Sequence, residues 1–441
     1  MKRSIHLFLI GVVALSVAIT VIVFSVRALT YTPPLCDGCN VILITLDATT
    51  AEAFFKDDTP FTNTRKIVDE RGVSFDHAYT PAVFSYPVLV SLFTGTYPWK
   101  YSIWDYHVAL PYSATTLAET LTSYGYTTAG FVRGPFMDEA WGLAQGFSIW
   151  RTGDASVPEP PRVSFDEARS WIQKADGPYF VYIKPFSVYD LFGLPDASTG
   201  FSFNDLKQAR AGDATGSERL RNGYATAMKE IDALLSSFLT DVTRKEGGRK
   251  TVVIITGTYG QELLLPTTRD QVTVSLPSAQ ALNVPLTLLI PSVSPKRIVR
   301  SVETRSVATT ITQIVSGAKS ILPGTSLVPY IKGNQDNMRV YAYVPLDTTG
   351  ALPEIPENLS TIVQYYKKEM SKGPLNKTLV DVAYTSLEGS WQVIRAGTDE
   401  FVFNVGEDME GKKNLNGNQR VLWSTDGFLV RDLFFKLMQA L

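Results

Sequence analysis

Histidine is almost missing from this chain: there are three in 441 residues, and His6 lies ahead of the first long apolar run. A histidine-rich metal or acid–base centre is therefore hard to assemble. Cysteine is as scarce. Cys36 and Cys39 are the only two, too few for a structural zinc centre. They leave a local disulfide or a redox dithiol; a strand-like run follows Cys39 at once where a redox pair would open a helix, which favours the disulfide. An excess of positive charge is also lacking. The formal net charge is −2 and charged residues make up 19% of the chain, so there is no electrostatic case for nucleic acid as a partner. No internal repeat or low-complexity block is visible, which argues against a solenoid.

Apolar residues, by contrast, make up 45% of the chain, enough for one large α/β domain and a smaller appendage. Residues 7–26 are almost wholly apolar, long enough to cross a bilayer as one helix. Lys2 and Arg3 precede them and set the N-terminus on the cytoplasmic side. The run exceeds an ordinary signal-peptide core and no Ala-x-Ala site follows, so an uncleaved signal anchor over residues 1–27 is expected; a cleaved leader is the other reading. Either one puts the body outside the cytoplasm. The expected organisation is that anchor, a stem over 28–39, a main α/β domain over 40–333 and a C-terminal α+β subdomain over 334–441.

In the main part, apolar runs alternate with helical patterns. Residues 41–46, 73–79, 127–132, 179–183, 251–256 and 283–290 read as strands. Thr59-Pro60 reads as a helix start with a stop at Gly72, and Gly95 ends a helix that begins near Pro87. Residues 220–242 form a long amphipathic helix with Met228, Ile231, Leu235 and Leu239 on one face, and Asp232 ties it to its neighbours. Residues 195–216 read as a polar surface excursion. The pattern predicts a doubly wound, mainly parallel sheet with helices on both faces. Beyond Gly333, residues 338–344, 378–385, 390–395 and 400–405 predict a small antiparallel sheet, and residues 430–441 a last helix.

Chemistry in such a sheet gathers at the carboxyl ends of the strands, which singles out Asp47, at the end of Asn40-Val-Ile-Leu-Ile-Thr-Leu-Asp47, and Ser85, in Ser85-Tyr-Pro-Val-Leu. Asp47 reads either as a metal ligand or as a carboxylate accepting local N–H bonds, and Ser85 as a nucleophile or as a helix N-cap. His77 and His107 read as surface or hydrogen-bonded histidines.

Several segments, taken in order, resemble the sulfatase branch of the alkaline-phosphatase-like superfamily. They are Asn40 to Asp47; Thr59-Pro60; Arg71-Gly-Val-Ser-Phe75 with Ala78-Tyr79; Ser85-x-Pro87 with Ser91-Leu-Phe-Thr-Gly95 and Tyr97-Pro98; Gly125-Tyr126 and Gly146-Phe147; Asn283-Val-Pro-Leu286; and Gly324 to Pro329. The resemblance implies that superfamily's fold, a divalent cation such as calcium held by several oxygen ligands, and hydrolysis of a sulfuric or phosphoric ester. It also shows where this chain departs from the family. Beside Asp47, a position often held by a second aspartate is Ala48. The later Ser-Asp-His-Gly segment reads Gly257-Thr258-Tyr259-Gly260, with Glu262 as the nearest carboxylate. The arginine of the Cys/Ser-x-Pro-x-Arg motif is Leu89, which cannot grip an oxyanion as a guanidinium does. The histidine after Tyr97-Pro98 is Tyr101, Asp-Pro-His is Ser187-Val188-Tyr189, and no lysine precedes Asn283-Val284-Pro285.

An ester hydrolase of this kind must offset oxyanion charge with a metal or cations and must activate its nucleophile. The expectation is therefore a membrane-anchored, sulfatase-like protein that is catalytically degenerate, with no cofactor, serving as a binding or structural module on a glycan, a lipid headgroup or an envelope protein. The alternative is an active hydrolase with a rearranged centre, in which Ser85 attacks and Asp47 holds a calcium-like cation.

Overall fold

The computed structural model describes residues 33–57, 59–104, 108–134, 136–153, 159–186, 203–210, 212–243, 250–260, 279–291, 293–317, 320–345, 382–388, 391–396 and 399–404. The expected anchor over residues 1–27, the last helix over 430–441, and His107, Ser187, Val188, Tyr189 and Glu262 lie outside these.

The first strand, β1 (Asn40–Leu46), is buried along its whole length. Such a run belongs in the middle of a sheet covered on both faces. Side chains alternate across a strand, and β1 follows that rule: Val41 and Leu43 join one core, Ile42, Ile44 and Leu46 the other. Around it lie β2 (Gly72–Tyr79), β3 (Thr127–Val132), β4 (Ile149–Thr152), β5 (Tyr179–Lys184), β6 (Thr251–Gly257), β7 (Asn283–Leu289) and β8 (Lys296–Glu303). They form one sheet in the order β4-β3-β5-β1-β6-β7-β2-β8. Only β7 runs against its neighbours; every other pair is parallel.

One face carries the helices Ser85–Thr94, Leu117–Ser123 and Ser306–Ser316, whose Val88, Leu92, Leu121 and Ile311 fill the first core. The opposite face carries Thr62–Arg71, Arg162–Ile172 and the long Ala214–Val242, with Val68, Phe165, Met228, Ile231, Leu235 and Leu239 in the second core. Asp232 on the long helix accepts from the backbone N–H groups of Asn63 and Thr64, at 2.9 and 2.7 Å. It thereby satisfies the first turn of Thr62–Arg71, whose own N-cap position, Phe61, offers no side-chain bond. This is the anchoring role expected of Asp232, and it explains why the helix opens at Thr62 and not at Thr59-Pro60.

A second sheet, β9 (Val340–Pro345), β10 (Val382–Glu388), β11 (Trp391–Ala396) and β12 (Asp399–Asn404), is antiparallel in the order β12-β11-β10-β9. Tyr343 fastens it to the main body, its N–H donating to Pro81 O and its hydroxyl reaching the carbonyls of Ile103 and Trp104, each at 3.0 Å. Cys36 and Cys39 are joined by a disulfide immediately ahead of β1. The surface excursion expected over residues 195–216 is corrected in part, because Phe203–Arg210 is helical and the long helix begins already at Ala214.

Candidate functional site

Asp47 follows the last residue of β1 and is buried, as is Lys184 at the end of β5. The register makes them neighbours: Ile44 stands opposite Ile183, so Asp47, three residues further along one chain segment, and Lys184, one residue further along the other, reach the same carboxyl edge of the sheet. The Lys184 ammonium donates to Asp47 Oδ2 at 2.9 Å, with side-chain exposures of 1% and 2%. It also donates to the carbonyl oxygens of Phe186 at 2.8 Å and Arg133 at 3.2 Å. All three of its N–H donors are used. Thr258, after β6, gives its hydroxyl to Asp47 Oδ1 at 2.7 Å, while its N–H bonds Leu46 O at 3.0 Å.

The turn that presents Asp47 is tight. Ala48 takes a positive φ of 55°, which side-chain-bearing residues rarely adopt. Its carbonyl is held by the Tyr224 hydroxyl at 2.7 Å, and Thr49 Oγ1 donates to the Asp47 carbonyl at 3.0 Å. Burial raises the Tyr224 pKa, so the phenol stays a donor. Arg133, which follows β3, places its guanidinium on Glu167, its Nη2 bonding Oε2 at 2.7 Å.

Thr258 and Asp47, both singled out in the sequence, thus come together. Tyr259 packs against the second core instead. Leu89 is fully buried in the first core, and Tyr101 ends a short 3-10 turn, Pro98–Tyr101, against the same core. Ser85 is corrected as an N-cap: Phe84 holds that position and Ser85 is the first residue of its helix, with no side-chain cap bond. No hydrogen bond joins Ser85 to Asp47 among the described residues.

Sequence reasoning missed Lys184, the counter-charge of Asp47. The expected strand stopped at Ile183, one residue short. The signal was a lysine closing an otherwise apolar strand, since a buried ammonium demands a partner; what the sequence withholds is that β5 lies beside β1.

The donor set does not fit a divalent cation. Such an ion needs several oxygen ligands, yet an ammonium sits against Oδ2, a hydroxyl occupies Oδ1, and the neighbouring position is a methyl group. Among the described residues, no group of three or more His, Cys, Asp or Glu side chains converges.

The family model described as Sulfatase matches residues 39–317. Comparison with curated protein sequences finds no match. Among solved structures, the phosphonate monoester hydrolase of Agrobacterium radiobacter superposes with a TM-score of 0.67 at 14% identity, over 91% of this chain and 96% of that one. The phosphonate monoester hydrolase from Silicibacter pomeroyi gives 0.66 at 14%, over 91% and 96%. A 2-O GAG sulfatase gives 0.65 at 15%, over 91% and 93%. At such identities the likeness is one of fold.

Proposed function

This chain belongs to the sulfatase family, and we propose that it is a member without hydrolytic turnover, held at a membrane by residues 7–26 and acting outside the cytoplasm as a binding or structural module. One observation carries this reading. Both oxygens of Asp47, the carboxylate in the position of the family's first metal ligand, are engaged by protein donors, Lys184 and Thr258. A sulfate or phosphate ester needs a cation or fixed positive donors at the leaving and non-bridging oxygens. Here the nearest ammonium is consumed by three acceptors, and the motif position that would supply a guanidinium is a core leucine.

Fold is retained while this chemistry is not, which suits a surface that recognises an anionic glycan, a lipid headgroup or an envelope protein without cleaving it. The test is direct. The purified chain is assayed with an aryl sulfate, an aryl phosphate and an aryl phosphonate monoester, with and without calcium or manganese. The expected result is no release above that of the Ser85→Ala variant; metal-dependent turnover abolished by Ser85→Ala would overturn the reading.

A further inference from the structure

The acceptors around the Lys184 ammonium are all oxygens: one from the Asp47 carboxylate and one each from the Arg133 and Phe186 carbonyls, at 2.8 to 3.2 Å. Oxygen donors of this kind are what a hard cation takes. They come from three neighbouring strand ends, those of β1, β3 and β5. The geometry points to Lys184 as a covalently attached stand-in for an exchangeable cation: its ammonium fills a cradle of backbone and carboxylate oxygens and keeps the three strand ends together without metal. This rests on the metal-free reading above but makes a separate claim, that the seat itself is a cation site closed by one side chain.

Two features support a seat and not a chance ion pair. The ammonium donates to carbonyls flanking it on both sides, Arg133 on the adjacent strand and Phe186 two residues on, so its place is fixed by backbone and not by Asp47 alone. The second Asp47 oxygen is satisfied separately by Thr258, so the carboxylate is held in orientation whether or not the cation is present. Any buried ion pair needs its remaining donors and acceptors met; here the acceptors converge from the ends of three neighbouring strands.

Removing the ammonium leaves a buried carboxylate without counter-charge, which is strongly destabilising, whereas removing both charges together is often neutral. The experiment compares unfolding midpoints of the whole chain, of Lys184→Ala, and of the double variant Asp47→Asn with Lys184→Ala, each with chelator and with millimolar calcium. Lys184→Ala is expected to unfold about 5 °C or more below the parent in chelator, and calcium to recover a large part of that loss. The double variant should lie closer to the parent and ignore calcium, as should the parent itself. If Lys184→Ala does not accumulate as folded protein, its refolding is compared with and without millimolar calcium: recovery of folded protein by calcium is the same result, and no recovery overturns the inference. A folded Lys184→Ala that loses no stability, or gains nothing from calcium, overturns this inference alone. A parent chain that loses stability in chelator overturns the metal-free reading first.

Discussion

Leu89 shows how a motif position changes its work. In the family pattern the fourth residue after the nucleophile is an arginine; here it is a leucine with no exposed surface, part of the first core. A buried leucine of this kind contributes through transfer and packing, so Leu89→Ala should cost about 2–5 kcal/mol. Chemical denaturation measures it, and a loss under about 1 kcal/mol would show that the position is not part of the core. Asp47 and Ser85 were legible from sequence as the two positions of interest, because a carboxylate closing an apolar strand and a serine before a helix proline are local signals. Lys184 was not, since its meaning depends on which strand lies next to which.

The same contrast holds for whole elements. β1, β5 and β6 are visible as apolar branched runs because both faces are covered. The edge strands β4 and β8 were missed: Ile149–Thr152 is half-exposed, and Lys296–Glu303 opens on two exposed basic residues and carries Arg300 in its middle, as a sheet edge does. Between β7 and that edge, β2 carries the irregular register at which His77 sits. Burial lowers the His77 pKa against the opposing pull of Asp76, and its Nδ1 is buried without a hydrogen-bond partner among the described residues. The folded chain therefore disfavours the charged imidazole. Its contribution to stability is fully present above the ordinary histidine value of about 6.5 and is lost as pH falls from there through the lower folded value. His77→Gln should unfold with a smaller loss of stability between about pH 7 and pH 5 than the parent. Equal slopes for the two proteins would refute this.

At the scale of the molecule, two sheets meet around a polar contact. The Tyr97 hydroxyl bonds Glu303, whose other oxygen lies 2.6 Å from Arg305 Nε, and the Arg305 guanidinium covers the Tyr97 ring at 4.2 Å. Desolvation raises the Glu303 pKa despite Arg305. Buried charges are thus paired within the fold at Glu303 as at Asp47. The order of motifs along the chain made the fold legible; the pairing of Lys184 with Asp47 became visible only with β5 placed beside β1.

Metal content tests this most directly. The full chain is purified from medium containing calcium, magnesium, manganese and zinc, and its divalent ions are counted by mass spectrometry beside those of Asp47→Asn. The expected result is no stoichiometric ion in either protein. One ion per chain in the parent, lost in Asp47→Asn, would contradict it.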